Sequence, residues 1–68
     1  MRAGINYTFR GLRVANEYTQ EELAKEIDVS AATVGNWEAG RSRPKPRDMM
    51  ELSRTLKTPV EDIVRMFI

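Results

Sequence analysis

Two residue types are missing from this chain. It has no cysteine, so a disulfide frame and thiolate metal ligation are excluded, and a reducing compartment is expected, the cytoplasm. It has no histidine either, which removes the commonest metal ligand and general base. With both absent, no nucleophile–base pair is evident, so neither an enzyme nor a bound cofactor or metal is expected. No apolar run approaches the length of a membrane span, and Met1–Phe9 is too polar for a signal peptide. Repeats, low-complexity tracts and linkers are missing too. The 68 residues are expected to form one domain over 1–68, with room for one modest core. A domain this small, without staples, relies on well-formed local structure or on a partner.

Charge is nearly balanced: 11 Lys+Arg against 10 Asp+Glu give a net +1, which by itself names no partner. Its distribution is more telling. Arg41, Arg43, Lys45 and Arg47 crowd together, whereas Glu17, Glu21, Glu22, Glu26 and Asp28 cluster earlier.

Apolar spacing predicts helices and no strand. Phe9, Leu12 and Ala15 mark one face of a first helix from about Asn6 to Asn16. Thr19 and Glu22 form a capping box that opens a second helix. Leu23, Ala24 and Ile27 point inward there, Glu21, Lys25 and Glu26 stay solvated, and Asp28 ends it. Ser30 caps a third helix with Val34 and Trp37 inside and Gly40 at its end. Trp37 is read as core rather than as a stacking platform, because it lies three residues from Val34. Pro46 suits the first position of a fourth helix, whose buried side is Met49, Met50, Leu52, Ser53 and Leu56. The methionines serve as core filler. Thr58 and Glu61 make a second capping box with Pro59 at the first helical position. A fifth helix then runs to about Phe67, with Val60, Ile63, Val64 and Phe67 inward. The expected architecture is all-α, a compact bundle of about five short helices.

Only Asp28-Val29 separate the second and third helices, and so short a turn makes them cross steeply. Ala24 is small where the axes approach, and Val29 plugs the turn. Residues Gln20–Gly40, then Pro44 and the segment "ELSRTLKTPVEDI", resemble the Cro/phage-repressor-type (XRE-like) helix-turn-helix family over about residues 9–63. The match rests on the spacing of small, apolar and capping residues along nearly the whole chain. That resemblance implies a lambda-repressor-like fold whose third helix enters the major groove of double-stranded DNA. It also implies a transcriptional regulator, a repressor being the expected form.

The family's sites carry over position by position. Gln20 matches a phosphate contact at the start of the second helix. Ala31, Ala32, Thr33 and Asn36 fall at base-reading positions; Asn36 and Thr33 keep hydrogen-bonding capacity, while an alanine methyl can press on a thymine methyl. The two alanines depart from the glutamines of well-known phage repressors, so steric fit replaces hydrogen bonds there. Arg41, Ser42, Arg43 and Lys45 match a backbone clamp. Arg13 and Glu38 match a salt bridge between the first and third helices. Asp28 stands where the family usually has glycine. A homodimer is expected, since one recognition helix contacts few base pairs. Its interface would be the tail, Val64, Met66, Phe67 and Ile68, with Met66 and Ile68 unable to turn inward. No small-molecule effector and no membrane partner is indicated. The alternative is a protein-interaction module such as an antitoxin-like subunit, which salt dependence of binding would separate from a DNA binder.

Overall fold

A computed structural model of the protein describes residues 8–68. Five helices follow in order: α1 (Phe9–Ala15), α2 (Gln20–Ile27), α3 (Ala31–Ala39), α4 (Pro46–Thr55) and α5 (Val60–Met66). No strand occurs among the described residues. α2 lies at the centre, packed on α3 and α4, and α4 in turn packs on α5. The core is Phe9, Leu12, Leu23, Ala24, Ile27, Val34, Trp37, Leu52, Leu56 and Ile63. Trp37 belongs to it, its ring set edge-to-face with that of Phe9 at a centroid distance of 6.1 Å. Among the described residues, no helix is long and apolar enough to cross a membrane.

Capping explains most helix boundaries. Thr8 is extended, and its hydroxyl accepts the Gly11 N–H at 2.9 Å, so α1 starts at Phe9; the start expected near Asn6 lies outside the described residues. The Thr19–Glu22 capping box closes reciprocally, at 3.0 and 2.9 Å. Pro46 takes the first turn of α4, where its missing N–H costs no bond.

Several expectations need correction. Ala15 is exposed, and the inward partner of Phe9 and Leu12 is instead Arg13, four residues from Phe9. Leu12 and Arg13 take the buried side of the last turn of α1, and Val14 and Ala15 are left on its open side. Met50 is 67% exposed: it lies two positions from Leu52, on the far side of a 3.6-residue turn. The second capping box does not form. The Thr58 hydroxyl instead donates to the Leu56 carbonyl at the end of α4, and Pro59 becomes the cap of α5. The helix therefore begins one residue later, and Val60 is exposed rather than inward. Met66, expected outside, is half-buried and packs on the core, as does Phe67, whose ring lies 5.2 Å from that of Phe9. At the helix end both side chains lean back over the last turn and cover α1.

Candidate nucleic-acid interface

The turn between α2 and α3 is built by backbone geometry that its residues only partly favour. Asp28 takes the left-handed conformation (φ 62°, ψ 49°), which lets the Val29 N–H reach back to the Ala24 carbonyl at 2.9 Å. Val29 then drops onto the core, and the Ser30 hydroxyl accepts the Thr33 N–H at 3.1 Å to start α3. With Val34 and Trp37 buried, α3 turns Ala32, Thr33 and Asn36 outward: Ala32 is exposed, the other two half-exposed. Ala31 differs, being half-buried against the core. The Thr33 hydroxyl is shared with Ser30 at 2.9 Å.

Beyond α3, Gly40 adopts φ 78° and folds the chain back, so that the Arg41 N–H donates to the Asn36 carbonyl at 2.9 Å. Pro44 is buried and pins the loop, while Arg41, Ser42, Arg43 and Lys45 around it are exposed. Among the described residues, Arg13, Arg47, Arg54 and Arg65 have carboxylate partners, whereas Arg41, Arg43 and Lys45 have none. These three cations are free to meet an external anion. Arg43 and Lys45 line a cleft with Val29, Thr33 and Ser42, which joins the loop to the start of α3. Glu17, Glu22 and Glu26 gather around Tyr18 in a separate cleft. The Arg41 side chain makes a contact that sequence reasoning missed: its Nε donates to Asn36 Oδ1 at 3.1 Å. The signal was present, since a left-handed glycine at a helix end returns the next residue over the last turn.

Behind this surface, one buried network ties three helices. Arg13 Nε donates to Glu38 Oε2 at 2.5 Å, and its Nη1 donates to the Tyr18 carbonyl at 2.7 Å. Gln20 Nε2 donates to the other Glu38 oxygen at 2.9 Å. The Gln20 side chain is thus held along α3, and its backbone N–H is left pointing out of the first turn of α2. Burial pushes the Glu38 carboxyl up, but hydrogen bonds from Arg13 and Gln20 and the charges of Arg13 and Arg10 outweigh it, holding the group below the ordinary glutamate range.

Two helices packed together across the three-residue turn Asp28–Ser30, the second with an open polar face beside unpaired cations, define a helix-turn-helix domain of the DNA-binding class. Comparison identifies which: a family model described as "Helix-turn-helix" matches residues 9–63, and the chain belongs to this Cro/phage-repressor-type family of DNA-binding transcription regulators. A curated relative, "HTH-type transcriptional activator BcrR" of Enterococcus faecalis, is 25% identical over 60 residues. Those residues are 88% of this chain but only 29% of that protein, so the chain spans less than a third of its relative's length. No solved structure gives a significant match.

Proposed function

We propose that this domain binds double-stranded DNA with α3 in the major groove and the loop after it on the phosphate backbone. The observation that carries this is the adjacency of the outer face of α3 to the basic loop: Thr33 shares one cleft with Ser42 and the unpaired cations Arg43 and Lys45, and Asn36 is bonded to Arg41. Bases are read largely by fit, because Ala32 offers only a methyl, which suits a thymine C5-methyl. Ala31 contributes by packing α3 onto the domain. Gln20 holds a phosphate through its backbone N–H at the start of α2 rather than through its side chain, which Glu38 occupies.

The mechanism is occupancy, without bond chemistry. The domain represses where its site overlaps that of the polymerase and activates where a bound copy offers a foothold; the Enterococcus relative is named as an activator. Binding is by a symmetric pair of domains on two half-sites, with recognition helices about 34 Å apart. Exposed Val60, half-buried Val64 one turn on along α5, and exposed Ile68 beyond provide the apolar contact.

The test is selection of bound duplexes from a random pool, followed by affinity measurements at several salt concentrations. A recovered motif and a log–log salt slope of about −2 or steeper per domain are expected from two or more neutralised phosphates. A flat slope and no recovered motif would reject the proposal and favour a protein partner.

A further inference from the structure

The bond from Arg41 to Asn36 changes what the outer face of α3 offers to a base edge. A free asparagine carboxamide presents one acceptor and one donor side by side, which matches the amino group and N7 of adenine. Here Oδ1 already accepts from the Arg41 guanidinium at 3.1 Å, and a charge-assisted bond of this kind is stronger than one from a neutral amino group. What remains is Nδ2, a donor, and one lone pair of Oδ1, beside the other N–H groups of a guanidinium, which has no acceptor. The pair therefore presents mostly donors. Guanine displays two acceptors in the major groove, O6 and N7, whereas adenine puts an amino donor where O6 stands.

We propose that Arg41 is a specificity-determining residue acting through Asn36, setting it to prefer guanine over adenine at the base pair it faces. The placement is built into the backbone. The left-handed Gly40 returns the chain, so that the Arg41 N–H donates to the carbonyl of the same Asn36 whose side chain its guanidinium holds. Two bonds thus link the two residues, and among the described residues no carboxylate competes for the cation. The family resemblance assigns Arg41 to a phosphate; the geometry assigns it to a base.

This inference rests on α3 lying in the major groove, and the experiment separates the two. Duplexes varied to all four bases at each position of the selected site are titrated with the intact chain, Asn36→Ala and Arg41→Ala. Arg41 is exposed, and thermal unfolding confirms that each variant is folded. The expected result is a position where the intact chain prefers guanine and Asn36→Ala loses preference. There, Arg41→Ala frees Oδ1 and swings the preference to adenine by about tenfold or more. If Arg41→Ala instead weakens all four bases equally and lowers the salt slope by about one, Arg41 is a phosphate contact and the inference is wrong, with the groove placement intact. If the intact chain shows no base preference at any position, both fall together.

Discussion

Asp28 and Glu38 are single residues that strain or tie the domain, and each makes a measurable difference. Asp28 sits at φ 62°, as Glu17 and Lys57 sit at 65° and 53°, each just past a helix end. A side chain in that region costs roughly 1 kcal/mol that glycine avoids, less what glycine loses in the unfolded chain. Asp28→Gly is therefore expected to raise the melting temperature by a few degrees in a calorimetric scan, since about 1 kcal/mol moves a domain of this size by about 4–8 °C. A fall would mean that the carboxylate stabilises the turn by more than the strain costs. Glu38 works the other way. Its folded pKa is lowered, so the ionised group stabilises fully above the unfolded value of about 4.3, and this contribution disappears as pH falls through the lower folded value. Glu38→Gln leaves the Arg13 guanidinium buried without its counter-charge, a loss of about 3–5 kcal/mol near neutral pH. The gap between intact chain and variant should narrow below about pH 4, which urea unfolding across pH would measure.

At the scale of elements, α4 and the loop before it divide their labour sharply. Leu52 is fully buried and Met50 two residues earlier is open. Leu52→Ala should cost about 2–5 kcal/mol in denaturant unfolding, whereas Met50→Ala should stay within about 0.5 kcal/mol. Equal effects would put Met50 in a buried contact. In the loop, Arg43 and Lys45 flank buried Pro44 and lack intramolecular ion pairs among the described residues. Replacing either by alanine should weaken binding to every duplex alike and reduce the salt slope by about one. A loss confined to the preferred site would turn that residue into a base reader.

For the whole molecule, the proposed pairing depends on the apolar residues left outside. Met66 and Phe67 pack on the core, so at the C-terminal end the apolar residues left for the proposed pairing are exposed Val60 and Ile68, with half-buried Val64 between them. A contact of that size is small compared with stable protein interfaces, and DNA is expected to hold the pair together. Sedimentation with and without a palindromic duplex should show two domains per duplex for the intact chain. Val60→Glu with Ile68→Glu should bind the two half-sites independently; undiminished cooperativity would place the contact elsewhere.

Much was legible without coordinates because it is local. The Thr19 capping box, the Ser30 cap, the left-handed ends at Asp28 and Gly40 and the Pro46 start each depend on residues within one turn of each other. Apolar positions three or four residues apart likewise announced the inner faces of α2 and α3. Local signals failed where distant groups competed. Thr58 could have capped α5, but a carbonyl at the end of α4 took its hydroxyl. Ala15 fitted an apolar period, but Leu12 and Arg13 took the buried side of that turn and left it on the open side. Spacing cannot tell whether Met50 or Met66 will be covered, because that depends on where another helix lies. The same holds at the candidate interface. Residue types named Asn36, Arg41 and Gln20 as polar and available, yet tertiary contact committed the Gln20 amide to Glu38, and the Gly40 turn brought Arg41 onto Asn36. A side chain's type sets which bonds it is able to make, and only its neighbours in space decide which are already made.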